Sequence, residues 1–295
     1  MTEHSPALVQ ESASVVRAEV VENRRIAKDT FRLRIHSPQV AETILPGQFI
    51  MVRPTGRTDP LLARPYALYA VTGDGGVSAS CVDIVYLVLG NGTRTLATLR
   101  QGDAVDLWGP MGNTFPVDVP ALSNGHLLIV AGGIGQTPFV AVLEELLGQR
   151  SFGRSRQVIR PRKLTVTYGV RTAEYLAGVE DFQSTGAIVR IATDDGSAGH
   201  RGFVTDLVQE ELDSDDPPTI LFGCGPEPML ERLAKMAWDR SVPAWVSLET
   251  KMACGYGVCF SCVCPVRDDS GWDYRRVCLE GPVFPSSQIA WEAAH

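Results

Sequence analysis

The sequence lacks a long apolar run, an excess of positive charge and the pattern of a secretory leader. No run approaches the ~18 consecutive apolar residues that a membrane-spanning helix needs. The formal net charge is −7, so there is no electrostatic basis for nucleic-acid binding. Residues 1–14 are polar and do not follow the charged-then-apolar order of a signal peptide. We therefore expect a disordered tail on a cytoplasmic protein that binds neither nucleic acid nor a membrane.

One basic run stands apart from this acidic balance. Between Arg150 and Lys163 the chain has five arginines and a lysine. A run of this kind is typical of a solvated surface loop, and we expect that role here rather than a binding site.

The chain of 295 residues is long enough for two domains and a small appendage. Residues 15–120 contain short β-like runs between turns, and Val82–Val88 alternates with period two, as a half-buried strand does. This texture predicts a barrel or sandwich. Residues 121–248 alternate strand-like and helix-like segments, beginning with the apolar run Leu127–Ala131, which predicts a parallel α/β sheet. Residues 249–295 have little regular pattern and predict a module organised by a cofactor.

Cysteine is concentrated in that last segment. Four of the seven cysteines lie between Cys254 and Cys264, and Cys278 is a fifth. Disulfides are rare in the reducing cytosol, so the clustering indicates a metal site. Four residues separate Cys254 from Cys259 and two separate Cys259 from Cys262, as in plant-type ferredoxins, and Cys278 follows after fifteen more. We predict that these four thiolates hold a 2Fe–2S cluster.

A four-cysteine zinc site is the alternative. Zinc sites usually pair their ligands in two C-x2-C knuckles, whereas here the first gap is longer and Cys278 stands alone. Gly255 and Gly257 can take positive φ and bring backbone N–H groups near cluster sulfurs, which favours iron–sulfur. Cys264 could replace a neighbouring ligand, but we expect it and Cys81 to be packed thiols.

Three turns in the α/β region each follow a strand-like segment. Their candidate nucleotide-binding residues are Gly132, Gly133 and Gly135 in the first, Thr193, Asp194 and Asp195 in the second, and Cys224, Gly225 and Pro226 in the third. Loops at the carboxyl ends of parallel strands border one crevice, where helix N-termini bind phosphate. Carboxylates at the second turn would repel a 2′-phosphate, which favours NAD over NADP. The alternative is a capped turn for the carboxylates and a small buried residue for Cys224.

Two motifs in the first region are candidates for a flavin site. Arg64-Pro65-Tyr66 offers a guanidinium that can bind pyrophosphate and a ring that can flank another aromatic ring. The run L-G-N-G-T-R-T ends a strand and begins a short helix, whose amides and hydroxyls could complete a diphosphate cradle. The residues of this loop are Gly90, Gly92, Thr93 and Thr95. Taken alone, either motif could equally be an ordinary barrel turn.

The order of these motifs resembles the ferredoxin–NADP reductase superfamily, whose barrel binds FAD and whose α/β domain binds the nicotinamide nucleotide. The motifs are R-P-Y, G-N-G-T, G-G-I-G-x-x-P and C-G-P-x-x-M-L. The segments Glu249–Cys259 and Arg276–Phe284 are similar to the electron-transfer subunits of class 1B dihydroorotate dehydrogenases. The run from Thr193 to Val204, T-D-D-G-S-x-G-x-x-G-x-V, is similar to that family too. The resemblance covers nearly the whole chain after the N-terminal tail.

This resemblance implies an FAD-binding antiparallel β-barrel over residues 15–120, a Rossmann-like NAD-binding domain over 121–248 and a small iron–sulfur module over 249–295. It places Arg64, Pro65 and Tyr66 on the FAD-binding strand. It also implies that a glycine-rich turn leads out of the barrel, formed by Gly109, Pro110, Gly112 and Asn113. The chain departs from the superfamily at Ala67, where Ser or Thr often stands beside the flavin N5. A backbone N–H would have to serve there instead.

NAD exchanges two electrons as hydride and a 2Fe–2S cluster exchanges one, so a flavin is the intermediary that a chain with both sites needs. The resemblance implies that electrons pass from the FMN of a dihydroorotate dehydrogenase catalytic subunit, through 2Fe–2S and FAD, to NAD+ in pyrimidine biosynthesis. It also implies a heterotetramer, and no catalytic acid or base. One alternative is an NAD(P)H-dependent reductase subunit that serves a hydrogenase, a sulfite reductase or a ferredoxin. Another is a zinc-stabilised nucleotide-binding regulator.

Overall fold

The computed structural model describes residues 13–73 and 79–293, which form two seven-stranded sheets and a two-stranded hairpin. Most of the predicted tail lies outside the described residues, and the first strand already begins at Ser14. Among the described residues, no helix is both long and apolar enough to cross a membrane.

The first sheet is antiparallel throughout. Its strands are β1 (Ser14–Ala27), β2 (Thr30–His36), β3 (Phe49–Pro54), β4 (Arg64–Ala67), β5 (Ala70–Thr72), β6 (Cys81–Leu87) and β7 (Ala104–Met111). They are ordered β4-β3-β7-β1-β2-β6-β5. The edge strands β4 and β5 are joined by only Leu68 and Tyr69, whose amides donate to the carbonyls of Gln48 and Asp83. The two edges therefore meet and the sheet curls into a barrel, which confirms the predicted antiparallel β-barrel.

Two short helices accompany the barrel: α1 (Pro38–Ala41) and α2 (Asn91–Leu96). The second confirms the short helix expected after Gly90. The expectation that β6 is half-buried was wrong, since every residue from Cys81 to Tyr86 is buried. Val82 and Ile84 face the barrel core, whereas Val85 packs in the cluster of the second sheet. The outer face of β6 is covered by the neighbouring domain, which an alternating pattern cannot reveal.

The second sheet is parallel except at one edge. Its strands are β8 (His126–Gly132), β9 (Lys163–Val170), β10 (Ile188–Thr193), β11 (His200–Arg201), β12 (Ile220–Cys224), β13 (Ala244–Ser247) and, from the C-terminal segment, β16 (Val283–Pro285). The helices between them are α3 (Phe139–Leu146), α4 (Val179–Ser184), α5 (Val204–Leu212) and α6 (Glu227–Asp239). Strand β8 is buried along its whole length, as its apolar run predicts. The expected α/β domain is confirmed.

The strand order β11-β10-β9-β8-β12-β13-β16 creates a switch point beside β8. From β8 the chain first builds outward through β9 and β10, and then returns to add β12 on the other side. Crevices at the carboxyl ends of such neighbouring strands are the usual ligand sites of open α/β sheets. The fold therefore places the glycine turns after β8 and β12 side by side.

The C-terminal segment has more regular structure than its sequence indicates. β14 (Val263–Asp268) and β15 (Gly271–Arg276) form an antiparallel hairpin, and β16 pairs with β13, with Val246 opposite Phe284. The last segment thus returns to the α/β sheet. The division of the chain at residues 120 and 248 remains a prediction.

The basic run before Lys163 lies mostly at the surface, as expected. Arg156 is the exception, because its guanidinium donates to both carboxylate oxygens of Glu145 and to the hydroxyl of Thr114. Arg162 pairs with Asp216 at 2.6 Å. These contacts give the run a structural role.

Candidate functional site

The four predicted ligand cysteines lie around one loop. Cys254 and Cys259 precede β14, Cys262 stands immediately before it, and Cys278 follows β15. Cys259 is exposed, while Cys262 and Cys278 are buried. Two pairs of these thiols are close enough to interact: Cys254 with Cys259, and Cys262 with Cys278. The loop therefore brings all four together and leaves one at the surface.

Hydrogen bonds shift the pKa values of three of these thiols. The Ser261 hydroxyl, 3.1 Å from the Sγ of Cys259, is the main cause that lowers the pKa of Cys259 to about 6. The thiol of Cys278 likewise lowers the pKa of Cys262 to about 6, and the same contact raises the pKa of Cys278. Cys259 and Cys262 are thus poised as thiolates, the form that binds metal.

Backbone amides also point at the sulfurs. The amide of Tyr256 lies 3.3 Å from the Sγ of Cys254, and the backbone of Gly257 acts to lower the pKa of Cys278. Soft thiolates surrounded by N–H groups fit an iron–sulfur cluster. Across the described ranges, no three His, Cys, Asp or Glu side chains gather as a site for one ion. The thiolates of the four cysteines would instead hold a cluster with more than one iron.

Cys264 lies outside this arrangement. It is on β14 opposite Arg275, only 5% exposed and packed in the core with Val266. Burial raises the pKa of Cys264 to about 12. Cys81 is buried in its strand as well. Both are packed thiols, as expected.

A cavity of ≈ 700 Å³ lies between the barrel and the carboxyl ends of β8, β9 and β12. The α/β domain contributes the turns at residues 132–135 and 225–226, and the barrel contributes residues 87–89. A Cβ on Gly135 would stand 2.4 Å from the carbonyl oxygen of Cys224, so only glycine permits the two turns to approach. Around Gly133, by contrast, no atom of the residues that the structure describes lies within 4 Å of a Cβ position. The backbone there is open to a ligand.

The side chains of the second predicted turn, residues 193–195, lie partly in the cavity and partly within the turn itself. Asp194 lines the cavity. Asp195 accepts hydrogen bonds from the amide and the hydroxyl of Ser197, and these bonds lower the pKa of Asp195. The hydroxyl of Thr193 donates to the carbonyl of Ala198 at 2.7 Å. Of the two carboxylates, only that of Asp194 lines the cavity.

Cys224 ends β12 at the edge of the cavity without lining it. Desolvation raises its pKa to about 12, and its thiol interacts with Ser247. It is a neutral thiol at the base of the Gly225–Pro226 turn.

The barrel motifs also meet in space. A Cβ on Gly92 would lie 3.9 Å from the Cγ of Arg64, so the first turn of α2 stands beside β4. The hydroxyl of Tyr66 is buried and has no hydrogen-bond partner within the described chain. An exposed guanidinium, a helix N-terminus and an unpaired buried hydroxyl fit a flavin nucleotide with its diphosphate.

The threonines of that loop serve the loop itself. The hydroxyl of Thr93 accepts hydrogen bonds from the amides of Leu89 and Gly90, and that of Thr95 donates to the carbonyl of Asn91. The backbone amides of Asn91, Gly92 and Thr93 at the start of α2, rather than these hydroxyls, are available to a ligand. Ala67 pairs with Phe49 in the sheet and offers no polar side-chain group.

Sequence reasoning missed several residues of the cavity. Arg171 directly follows β9, and Arg232 lies one helical turn after Pro228 on α6. Both could have been found by asking which side chains follow the carboxyl ends of the parallel strands. Glu249 and Asp29 also line the cavity. Their position depends on how the domains pack, and no local pattern indicates it.

Three families match successive parts of the chain. Residues 17–115 match an oxidoreductase FAD-binding domain and residues 129–235 an oxidoreductase NAD-binding domain. Residues 249–290 match the iron–sulfur cluster binding domain of dihydroorotate dehydrogenase B. The order is that of the predicted FAD, NAD and iron–sulfur regions, and it bears out the three predicted cofactors.

Solved structures share this architecture. The structure of an NADH-dependent reduced ferredoxin–NADP oxidoreductase is similar, with a TM-score of 0.78 and 28% sequence identity. The aligned region covers 94% of this chain and 91% of that protein's chain. A cytochrome P450 reductase from Amycolatopsis is 21% identical, with a TM-score of 0.60. That alignment covers 78% of this chain and 67% of the reductase chain. The second likeness concerns the fold alone.

Whole-length relatives carry one common name. "Dihydroorotate dehydrogenase B (NAD(+)), electron transfer subunit" from Caldanaerobacter subterraneus subsp. tengcongensis is 34% identical over 93% of this chain and 98% of its own. The protein of the same name from a Geobacillus strain is 37% identical over 92% and 96%. With this identity sustained over nearly the full length of both chains, and with all three cofactor regions in place, the chain belongs to the family of dihydroorotate dehydrogenase B electron transfer subunits.

Proposed function

We propose that this chain couples the oxidation of dihydroorotate to orotate, on a catalytic partner subunit that holds FMN, to the reduction of NAD+. Its relatives are named as NAD(+)-dependent electron transfer subunits, which supports this assignment. The single observation that carries it is the four-cysteine loop with Cys259 at the surface, packed on the same barrel as Tyr66. Such a loop can exchange electrons with a neighbouring subunit while remaining close to a flavin.

In this proposal the barrel holds FAD. Arg64 binds the diphosphate together with the amides of the neighbouring loop, and the hydroxyl of Tyr66 bonds the flavin nucleotide. Pro65 and Ala67 shape the strand, and a backbone N–H assists at the flavin N5 in place of a side-chain hydroxyl. The loop residues are Gly90, Gly92, Thr93 and Thr95.

The crevice beside β8 holds NAD. Amides of the first turn bind its diphosphate, and Asp194 rejects a 2′-phosphate and thus selects NAD over NADP. The remaining members of the site position its turns. They are Gly132, Gly133 and Gly135 in the first turn, Thr193 and Asp195 in the second, and Cys224, Gly225 and Pro226 in the third.

Cys254, Cys259, Cys262 and Cys278 hold the 2Fe–2S cluster. When bound, the flavin exchanges two electrons with the nicotinamide as hydride and single electrons with the cluster. The residues of the chain bind and orient the three groups, and none of them needs to act as a general acid or base.

The cysteine loop is the proposed contact with the catalytic subunit. Val258 and Phe260 flank Cys259 and are 79% and 61% exposed. Phe260 has a φ of +53°, which is costly for a non-glycine residue, and the guanidinium of Arg276 lies 4.8 Å from its ring centroid. A strained, exposed aromatic residue beside a cluster ligand suits a protein interface. We propose two subunits of each type in a heterotetramer.

Reconstitution tests the assignment. The purified chain, with FAD and cluster incorporated, is mixed with the FMN-containing catalytic subunit, and NADH formation from dihydroorotate and NAD+ is followed at 340 nm. We expect NADH formation only when both subunits are present. A chain that contains both cofactors and oxidises NADH, but forms no complex and no NADH with this partner, would refute the assignment.

A second candidate keeps the cofactors and changes the partner. The 28% identity and TM-score of 0.78 to a ferredoxin–NADP oxidoreductase favour a reductase subunit of another redox complex, such as one with a ferredoxin, a hydrogenase or a sulfite reductase. Identification of the proteins that co-purify with the chain separates the two candidates. An FMN protein supports the first, and a metalloenzyme or ferredoxin the second.

A further inference from the structure

One wall of the barrel separates the predicted FAD strand from the cysteine loop. In the sheet Met51 of β3 stands opposite Trp108 of β7 on one side and opposite Pro65 of β4 on the other. Directly opposed residues point to the same face of an antiparallel sheet, and neighbouring strands lie about 4.8 Å apart. The backbone of Trp108 is therefore only two strand spacings, roughly 10 Å, from that of Pro65.

The first cysteine is attached to this wall. The indole Nε1 of Trp108 donates a hydrogen bond to the carbonyl oxygen of Cys254 at 3.1 Å. The next residue is Gly255, with a φ of +76°, and a Cβ there would stand 2.8 Å from the Cγ of Met51 and 3.1 Å from the Sδ of Met111. The loop thus sits directly on the side chains of β3 and β7.

The segment after the last cysteine is attached to the same wall. Asn113 lies two residues beyond β7, and its backbone N–H donates a hydrogen bond to the carbonyl oxygen of Gly281 at 2.7 Å. Its side chain donates to the carbonyls of Glu280 and Val283 and accepts from the amide of Val283. One side chain therefore fixes the chain that follows Cys278.

We propose that Trp108 and Asn113 are positioning residues that anchor both arms of the ligand loop to the barrel wall and so fix the cluster beside the FAD strand. The inference rests on the proposed cofactors, but it does not depend on which partner subunit supplies electrons. Trp108 acts through the peptide of Cys254 and Asn113 through the segment after Cys278.

The bond from Trp108 also orients a peptide. In a trans peptide the C=O and the N–H point in opposite directions. Since the carbonyl of Cys254 points at the indole, the amide of Gly255 points away from the barrel. Loss of the indole N–H frees this peptide to rotate. It also removes the partial positive charge of that N–H from the surroundings of Cys254. Cluster reduction adds an electron, so the loss makes reduction less favourable and the midpoint potential more negative.

The test uses Trp108→Phe in the isolated, cofactor-loaded chain, with Trp291→Phe as the matched control. The indole of Trp291 also donates to a carbonyl of the C-terminal segment, that of Ser286 at 3.2 Å, but this acceptor is not part of a cysteine or of the loop that carries Cys254. The readouts are the EPR signal of the reduced cluster, its midpoint potential, and the rate of cluster loss to a chelator. In Trp108→Phe we expect an altered EPR signal, a more negative potential and roughly fivefold faster cluster loss, the equivalent of one hydrogen bond of about 1 kcal/mol.

A second variant, Asn113→Asp, tests the segment after Cys278. It replaces the first variant as the test if Trp108→Phe does not fold. Its carboxylate keeps the acceptor for Val283 but cannot donate to the two carbonyls, so cluster loss should again accelerate. The inference is overturned if either folded variant matches the Trp291→Phe control in potential, EPR signal and cluster retention. If the unmodified chain contains no cluster, the proposed function fails instead, and the two failures are distinguishable.

Discussion

The hydroxyl of Tyr69 donates a hydrogen bond to the carboxylate of Asp181 and thereby joins the barrel to the α/β domain. The guanidinium of Arg32 lies 5.1 Å from the ring centroid of Tyr69 and 3.7 Å from the same carboxylate. Arg32 is held in turn by Asp83, which is fully buried. This chain of contacts fixes the two walls of the large cavity relative to each other.

Tyr69→Phe should therefore destabilise the protein by about 1 kcal/mol, because the carboxylate of Asp181 loses a donor at a partly buried site. The measurement is the free energy of unfolding in urea. Tyr274→Phe is the control, since Tyr274 is 53% exposed on the hairpin. If the two variants are equally stable, the bond to Asp181 does not contribute.

His126 should make stability depend on pH. Burial lowers the pKa of His126, whose ring nitrogens bond the carbonyl of Asp216 and the hydroxyl of Thr165. The unfolded chain then binds a proton more readily than the folded one, so stability is full above the unfolded pKa of about 6.5 and falls as the pH drops below it. Urea unfolding at pH 5–8 should show this fall in the natural chain and a smaller one in His126→Gln. An equal fall in both would assign the effect to other groups.

Asp194 should determine the nucleotide preference, whereas Asp195 should not. Asp194→Ser removes a charge that faces the cavity, and we expect the KM for NADPH to fall roughly tenfold, a Coulomb term of about 1.4 kcal/mol. Asp195→Asn is the comparison, because its carboxylate bonds Ser197 and does not line the cavity. The readout is oxidation of NADH and NADPH with an artificial acceptor. A larger effect at position 195 would reverse the assignment.

Cys278→Ser should abolish the visible absorption of the cluster and the transfer of electrons to the partner, since one of the four thiolates is lost. Cys264→Ser should keep the cluster and cost only some stability, because Cys264 is a buried neutral thiol. Absorption spectra and EPR of the two purified variants decide the matter. The opposite pattern would exchange the ligand roles of Cys264 and Cys278.

Local sequence patterns predicted those features that local chemistry determines. The apolar run of β8, the glycine turn after it and the 4-2 spacing of the cysteines all act within a few residues, and each lies where it was expected. The hairpin of β14 and β15 was missed, because its strands carry exposed polar residues and little alternation. Glu249 and Asp29 were missed as cavity residues, since their position follows from the packing of two domains.

The polar details of the site were also beyond sequence reasoning. Thr193 and Asp195 stand in a motif that indicates ligand binding, yet their side chains bond within the turn. Asn113 was assigned to a turn and Trp108 was not singled out, and only the fold reveals their bonds to the cysteine segment. A motif thus identifies a loop more reliably than it identifies the side chains that face the ligand.

The pairing of β16 with β13 makes the end of the chain part of the nucleotide domain. A protein shortened after Glu280 would retain every cysteine but would leave the backbone N–H and C=O groups of β13 unpaired at an open sheet edge. Such edges recruit strands from other molecules, so the shortened protein should self-associate. The iron–sulfur segment therefore cannot be detached or exchanged as an independent unit without also supplying the strand that closes its neighbour.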